Sequence, residues 1–341
     1  MKAWVIEGVS EVKGKGFLKL VEFPVPEPEE KELVIKVYAC GVCHTELDEI
    51  EGRAKPPFYP VIPGHQVVGK VVKVGSGVRR FKLGDVVGAG WIFSSCQKCR
   101  YCKKGLENLC PDFKATGKDA HGGYAEFFKI HEDYAFSIPE SLSFEEAAPL
   151  FCAGAIGYRS LKLTGIGDRG NLGLVGFGAS GHLVLKLVKA AYPEIKVFVF
   201  SHTEKNKRLA KELGAFWVGA VGDEVPELLD AVIDTTPVWG APFGTLRYLR
   251  PGGRLVINAI RKEDKDKAAL LELDYSRDLW MEKEVKSVAN VCRDDIKDFL
   301  ELAARYRVVP EIEVYSFEDA ERALFDLKFR KSRGAKVLRL Y

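Results

Sequence analysis

Four of the eight cysteines in this 341-residue chain fall within one stretch, CQKCRYCKKGLENLC, at residues 96–110. Their spacing is C-x2-C-x2-C-x7-C. Such a cluster either carries chemistry or holds a loop together, and in a reducing compartment clustered cysteines more often bind metal than form disulfides. A bacterial ferredoxin run also begins C-x2-C-x2-C, but its next gap is three residues, whereas here it is seven.

Two other cysteines and a histidine could form a second metal site. They are Cys43 in GVCHTE, His65 in IPGHQ and Cys152 in LFCAG. Each has an ordinary explanation on its own, because cysteine is often a small core residue and a single histidine more often packs than binds metal. Together they supply two thiolates and one imidazole, the ligands of a catalytic zinc whose fourth position is open. Spacing alone leaves both explanations open.

A glycine-rich turn, GFGASG, contains Gly176, Gly178 and Gly181. It follows the strand-like NLGLVGFG and opens the helix-like HLVLKLVKAAY. In this context the first glycine makes a tight turn, the second lets the backbone approach a pyrophosphate, and the third packs the helix on the strand. The turn therefore predicts a dinucleotide site.

The residues after the next strand indicate which dinucleotide is bound. An NAD site would place a carboxylate about 20 residues after the glycines, but this chain has Ser201, His202 and Thr203, followed by Lys205. Hydroxyls and a cation favour a 2′-phosphate, which a carboxylate would repel. We expect NADP(H) in preference to NAD(H), although the lysines could also be the solvated face of a helix.

The predicted secondary structure around these residues changes along the chain. The first 140 or so residues read as β-rich, with strand patterns at 32–41 and 66–78. Ser143 and Glu146 form a predicted capping box. Strands then alternate with helices, which predicts a doubly wound parallel sheet. The sequence thus predicts an α/β fold with a β-rich part and a Rossmann part.

Composition excludes several classes of protein. Hydrophobic residues make up 47% and charged residues 29% of the chain, and the net charge is +3. A charge this small gives no reason to expect a nucleic-acid partner. Apolar runs are too short for a membrane span, and the start of the chain shows no signal-peptide pattern. We expect a cytoplasmic protein.

The motifs occur in the order and at about the spacing of one known family. They are CGVCHTE, PGHQVVG, CQKCRYCKKGLENLC, GGYAEF, AAPLFCAG and GFGASG. Over nearly its whole length the chain resembles the zinc-dependent medium-chain alcohol dehydrogenases, in particular the NADP-preferring, cinnamyl-alcohol-dehydrogenase-like subgroup. The resemblance implies a GroES-like catalytic domain at 1–150 with a zinc lobe at about 94–112, and a Rossmann cofactor domain at 151–286. Residues 287–341 would return to the catalytic domain, with the active site in the cleft.

Carried over by position, the resemblance assigns roles to individual residues. Cys43, His65 and Cys152 match the catalytic-zinc ligands. Thr45 matches the hydroxyl that takes the proton of the alcohol, and His44 matches a position near the cofactor pyrophosphate.

The cysteine cluster matches the structural zinc lobe of the family, which implies two zinc ions per chain. Four thiolates saturate a tetrahedral zinc, so this site cannot bind substrate. Its ligands would be Cys96, Cys99, Cys102 and Cys110. The remaining Cys40 and Cys292 are most simply buried hydrophobic residues.

Three positions depart from the commonest family pattern. Gln66 replaces a glutamate that follows the histidine ligand, a change also found in cinnamyl-type members. Glu46 replaces an aspartate that orients this histidine, and Asp48 stands where a histidine often ends the proton relay. With Asp48 there, the proton could leave through the cofactor ribose and water.

The resemblance implies reversible hydride transfer between an alcohol or aldehyde and the nicotinamide. Trp91 and Ile92 resemble pocket-lining positions and suggest an apolar or aromatic primary alcohol, although Trp91 could simply belong to the core. One alternative is an NAD(H)-dependent polyol or amino-alcohol dehydrogenase of the same superfamily. Another is a catalytically silent protein that binds zinc and nucleotide. The family forms homodimers and homotetramers, and the sequence does not choose between them.

Overall fold

The computed structural model describes residues 1–330 and 334–341, which form two compact units. The first unit consists of Met1–Ala155, Val291–Ala304 and Val309–Tyr341, and the second of Ile156–Asn290 and Arg305–Val308. From the sequence, we expected the domain boundaries to lie after residues 150 and 286.

Strands and helices follow one another along the described residues. The strands are β1 (Lys2–Val5), β2 (Lys19–Glu22), β3 (Glu32–Val42), β4 (Val67–Val74), β5 (Val86–Ala89), β6 (Ile92–Ser94), β7 (Lys114–Ala115), β8 (Phe127–His131), β9 (Phe136–Ser137), β10 (Arg169–Val175), β11 (Glu194–Phe200), β12 (Trp217–Gly219), β13 (Leu229–Asp234), β14 (Leu249–Ile257), β15 (Glu284–Ser287), β16 (Ile312–Ser316) and β17 (Ala335–Arg339). The helices are α1 (His44–Ile50), α2 (Phe144–Ala147), α3 (Ala153–Thr164), α4 (Ala179–Ala191), α5 (Glu204–Glu212), α6 (Gly240–Gly244), α7 (Arg293–Tyr306) and α8 (Ala320–Phe329). Short 3-10 turns lie at Cys102–Lys104, Glu107–Leu109, Glu132–Tyr134, Ala148–Phe151, Thr245–Tyr248, Asp264–Glu272 and Phe317–Asp319, and a π turn lies at Tyr275–Leu279.

The first unit is built around a sheet with the strand order β16-β17-β3-β4-β5-β9, in which β8 also pairs with β3. Strand β3 is long and rich in β-branched residues, a composition that favours a pleated, buried surface. It pairs antiparallel with β4, β8 and β17, and most of its side chains are buried. Because β3 is fixed on both sides, the residue that follows it, Cys43, starts from a rigid position.

The second unit contains a parallel sheet with the order β12-β11-β10-β13-β14-β15. Its central strands read as continuous apolar runs because helices cover both faces of such sheets. The order of connection reverses between β10 and β13, which lie side by side. In open α/β sheets, ligands bind at the carboxyl ends of the strands at this point.

The α/β class and the doubly wound sheet predicted from the sequence are confirmed. The capping box is confirmed as well. The Ser143 hydroxyl accepts a hydrogen bond from Glu146 N at 3.1 Å, and the Glu146 carboxylate accepts one from Ser143 N at 2.9 Å. Among the described residues, no helix combines the length and the apolar character that crossing a bilayer requires.

Candidate active site and cofactor site

Three separate loops of the first unit bring Cys43, His65 and Cys152 together. Cys43 is the N-cap of α1, His65 lies just before β4, and Cys152 ends a 3-10 turn. One ligand atom from each lies within 4.8 Å of the others, and the two sulfurs are 4.0 Å apart. Two sulfurs at 2.3 Å from one tetrahedral zinc would stand about 3.8 Å apart. The spacing therefore suits a shared metal ion.

The two thiols and one imidazole nitrogen also suit a metal. Buried Nε2 of His65 has no hydrogen-bond partner in the described chain. A hydrogen bond from the Cys152 thiol lowers the pKa of Cys43 well below its usual value, while the same contact raises the pKa of Cys152. The pair thus retains one proton, which a metal would displace when it binds both thiolates.

Glu46 contacts two of the three candidate ligands. Its Oε2 accepts a hydrogen bond from Cys43 N at 2.8 Å, and its Oε1 lies 2.7 Å from His65 Nδ1. Burial alone would lower the pKa of His65, but Glu46 and Cys43 together outweigh it, and this pKa is raised well above its usual value. Contact at Nδ1 leaves Nε2 as the metal-binding nitrogen, because a carboxylate behind a ligating histidine fixes its tautomer.

Thr45 and His44 form the first turn of α1. The Thr45 hydroxyl lies 3.6 Å from Cys43 Sγ and its side chain is buried, so it is close to the candidate metal position. His44 is exposed to solvent.

The four clustered cysteines of the first unit form the second candidate metal site. Their sulfurs lie 3.5–3.9 Å from their neighbours, again the separation expected around one zinc. Backbone N–H groups of Lys98 and Cys99 lower the pKa of Cys96 to about 7, whereas burial raises the pKa of Cys110 to about 12. The lobe is tied to the start of α7 by an ion pair of 2.8 Å between Arg293 and Glu107.

In the second unit, the glycine turn lies at the carboxyl end of β10. Gly176 has φ +81°, which favours glycine, and Gly178 is the N-cap of α4. A Cβ at Gly181 would lie 2.9 Å from Gly176 O, so the third glycine permits close packing of helix and turn. A Cβ at Gly178 would meet nothing within 4 Å, which leaves room for a ligand there.

The segment after β11 carries the side chains expected to contact the cofactor ribose. Ser201 is buried, and its hydroxyl accepts a hydrogen bond from Thr203 N at 3.4 Å. Thr203 is the N-cap of α5, and its buried hydroxyl has no partner among the residues described. His202 and Lys205 are exposed.

Comparisons with known proteins agree on one family. The alcohol dehydrogenase GroES-like domain profile matches residues 29–140. A probable alcohol dehydrogenase AdhA of Mycobacterium tuberculosis is 39% identical over 99% of this chain and 97% of its own length. The chain belongs to the alcohol dehydrogenase family. A further alcohol dehydrogenase, from Geobacillus stearothermophilus, is 33% identical over 96% of both chains.

A solved family member resembles the whole chain. It is a cinnamyl alcohol dehydrogenase of Sorghum bicolor, with 29% sequence identity and a TM-score of 0.85. The similarity covers 99% of this chain and 97% of the Sorghum chain. The family and both fold types expected from the sequence are therefore confirmed.

The three departures from the commonest alcohol dehydrogenase pattern have distinct surroundings. Gln66 is buried with its side-chain carbonyl against Gly41, where a Cβ would come within 2.4 Å of it. Asp48 is buried in an ion pair with Arg53, with Oδ1 and Nε 2.6 Å apart. Glu46, despite its extra methylene, lies against the histidine, with Oε1 2.7 Å from His65 Nδ1.

The two expected pocket residues are both buried. Trp91 packs edge-on against His65, with ring centroids 5.0 Å apart. Ile92 lies in β6 and is fully buried. Contact with substrate stays a prediction for both residues.

The sequence analysis missed Glu49. This side chain is fully buried, and neither carboxylate oxygen has a hydrogen-bond partner in the described part of the chain. Burial, followed by the charge of Glu46, raises its pKa well above the usual value. The spacing along the helix could have identified it from the sequence. Residues three apart share a helix face, which places Glu49 beside Glu46 on α1.

Proposed function

We propose that the protein is a zinc-dependent alcohol dehydrogenase that transfers hydride reversibly between an alcohol or aldehyde and NADP(H). The observation that carries this proposal is the convergence of Cys43, His65 and Cys152 within 4.8 Å, with the Thr45 hydroxyl 3.6 Å from Cys43 Sγ. Zinc bound by two thiolates and one imidazole supplies a Lewis acid with an open position for the substrate oxygen.

The residues around this position have separate tasks in the proposed reaction. Thr45 accepts the proton of the alcohol and passes it on, while Glu46 orients His65. The arginine partner of Asp48 holds that carboxylate in an ion pair, which favours proton exit through the ribose hydroxyl and water. Gly176 and Gly178 give the cofactor pyrophosphate access to the backbone and to the N-terminus of α4.

Zinc content tests the proposal without a choice of substrate. Elemental analysis after dialysis against metal-free buffer should give two zinc ions per chain. Cys43→Ser should lose the catalytic zinc alone, and Cys99→Ser the lobe zinc alone. One zinc that survives in Cys43→Ser but not in Cys99→Ser would contradict the catalytic site and would favour a catalytically silent zinc-binding protein.

The absence of a carboxylate among Ser201, His202 and Thr203 supports NADP(H) in preference to NAD(H). Lys205, exposed in the first turn of α5, would contribute a positive charge beside the 2′-phosphate. We expect Lys205→Ala to lower kcat/KM for NADPH about tenfold, which is the effect of one charge-assisted hydrogen bond. The kcat/KM for NADH should stay unchanged. Lys211→Ala, at an exposed position of the same helix, is the matched control. A wild-type preference for NADH would contradict this assignment.

An apolar or aromatic primary alcohol is the proposed substrate class. Trp91 beside His65 supports it, as does the similarity to the Sorghum cinnamyl alcohol dehydrogenase. We expect a higher kcat/KM for cinnamaldehyde than for acetaldehyde. Higher efficiency with a polyol or an amino-alcohol would favour the alternative substrates.

We also propose that the chain forms a homodimer or homotetramer in the cytoplasm. The four residues of strand β15 are exposed at the edge of its sheet, and Trp280, Met281 and Val285 are exposed large apolar side chains in this region. Exposed edges of this kind pair readily with another chain. Light scattering should therefore give a mass of two or four chains, and a monomer would contradict this proposal. The free thiols support a reducing compartment.

A further inference from the structure

A lysine buried in the second unit braces the loop that follows β13. Lys262 is almost completely buried, and its ammonium contacts the buried carboxylate of Asp234 at the end of this strand. The same ammonium donates hydrogen bonds to Thr236 O at 2.9 Å and to Val238 O at 2.8 Å. The other Asp234 oxygen accepts from Thr236 N at 3.0 Å and from its hydroxyl at 2.7 Å. Lys262 thus uses its three donors on one five-residue segment, 234–238.

A buried ion pair is a poor way to gain stability, because the cost of removing both charges from water can exceed their attraction. Its value lies in fixing geometry, since an ammonium with three acceptors holds a loop in one arrangement. Lys262 belongs to the segment that follows β14, so the contact joins the ends of two adjacent strands.

The braced segment packs directly on the glycine turn. The Thr235 amide and hydroxyl both donate to Val175 O, at 2.9 and 3.1 Å. A Cβ at Gly176 would lie 2.8 Å from the Thr235 hydroxyl. Segment 234–238 therefore lies against the glycine turn at the point where the strand order reverses.

Two buried N–H donors next to the brace have no acceptor among the residues described. One is Nε1 of Trp239, which directly follows the braced segment, and the other is Nδ2 of Asn258, whose backbone N donates to Asp234 O at 2.8 Å. Unpaired buried donors are costly, so such groups in a native protein call for a partner that the chain itself does not supply. Hydroxyl, carboxamide and phosphate oxygens of a dinucleotide are acceptors of the required kind.

We propose that Lys262 is a positioning residue for the dinucleotide: by bracing segment 234–238 it holds the Trp239 and Asn258 donors where they bind the nicotinamide half of the cofactor. This inference rests on the proposed function, because it requires that a nicotinamide dinucleotide binds at the carboxyl ends of β10 and β13.

The test compares a whole cofactor with its adenosine half. Fluorescence titration of the zinc-loaded protein with NADPH measures binding of the whole molecule, and calorimetric titration with 2′,5′-ADP measures binding of a fragment that lacks the nicotinamide half. In Lys262→Met we expect NADPH binding to weaken about tenfold or more, as for one or two misplaced hydrogen bonds, with 2′,5′-ADP unchanged within about twofold. Lys262→Arg, which keeps charge and donors, should recover most of the affinity.

Two further variants separate positioning from general damage. Lys265→Met removes an exposed lysine three residues away and should leave both affinities unchanged. Asn258→Ala leaves the ion pair intact and should also weaken NADPH alone, which keeps the proposal testable if Lys262→Met does not fold. Equal weakening of NADPH and 2′,5′-ADP in Asn258→Ala, or NADPH affinity within twofold of wild type in a folded Lys262→Met, would overturn the inference. Failure of the wild type to bind NADPH or NADH would instead overturn the proposed function.

Discussion

Replacement of Glu46 by glutamine tests how the candidate zinc site is organised. Each oxygen of this carboxylate faces an N–H group, Oε2 at 2.8 Å from Cys43 N and Oε1 at 2.7 Å from His65 Nδ1. A glutamine side chain has one oxygen and one NH2 group. Whichever way the amide is turned, one of the two contacts becomes donor against donor.

The expected magnitude follows from these contacts. Loss of the carboxylate behind a ligating histidine typically costs 10- to 100-fold in metal affinity, or about 1.4–2.8 kcal/mol. We expect Glu46→Gln to fall within this range. Glu46→Asp keeps both acceptor oxygens and should lose less, although its chain is one methylene shorter.

Competition with a chromophoric zinc chelator measures the effect. Release should occur in two steps, and the lobe zinc serves as an internal reference because Glu46 does not contact the four lobe cysteines. Only the step assigned to the catalytic site, identified by its absence in Cys43→Ser, should shift to lower chelator concentration. A zinc affinity of Glu46→Gln within twofold of wild type would refute the argument that Glu46 positions the ligands.

Three further predictions concern the glycine turn, the lobe and the expected pocket. Gly176→Ala should lower the free energy of unfolding by about 1–3 kcal/mol because alanine is strained at φ +81°, while Gly8→Ala, at an open position, should have little effect in the same urea titration. In zinc-free protein, peptide mapping after iodoacetamide treatment should show alkylation of Cys96 that falls as the pH drops through its pKa of about 7, since only the thiolate reacts; Cys110, whose pKa is raised to about 12, should stay unmodified at neutral pH, and the opposite order would contradict the assignment. Trp91→Ala should destabilise the protein by about 3–5 kcal/mol if the side chain is core, whereas a loss below about 1 kcal/mol together with a lost preference for cinnamaldehyde would assign Trp91 to the pocket.

The sequence was most informative where the residues of a motif lie close together along the chain. The C-x2-C-x2-C-x7-C run places four sulfurs within reach of one metal almost without help from the rest of the fold. The glycine turn was recognised because its flanking strand and helix are both strongly patterned. Cys43, His65 and Cys152 required the family resemblance, since their approach depends on the pairing of β3 with β4 and on a distant turn.

Features that depend on tertiary contacts were missed. The bond between Lys262 and Asp234 follows from the pairing of β13 with β14, and no local pattern distinguishes Lys262 from the exposed lysines near it. Strand β15, with sequence EVKS, lies exposed at a sheet edge and lacks the apolar alternation by which strands are recognised. Glu49 could have been found, because its helical spacing from Glu46 puts both on one face.

The position of β17 has a consequence for synthesis of the protein. This strand lies between β16 and β3, so the sheet behind Cys43 is completed by residues near the opposite end of the sequence. On the ribosome, the continuous segment Ile156–Asn290 emerges in time to fold before β17 exists. A chain that stops short of residue 335 would therefore contain a complete second unit, a strand β16 without its partner, and an open edge at β3. Open edges of this kind favour aggregation. A chain that lacks β17 should therefore aggregate more readily than a chain that contains it.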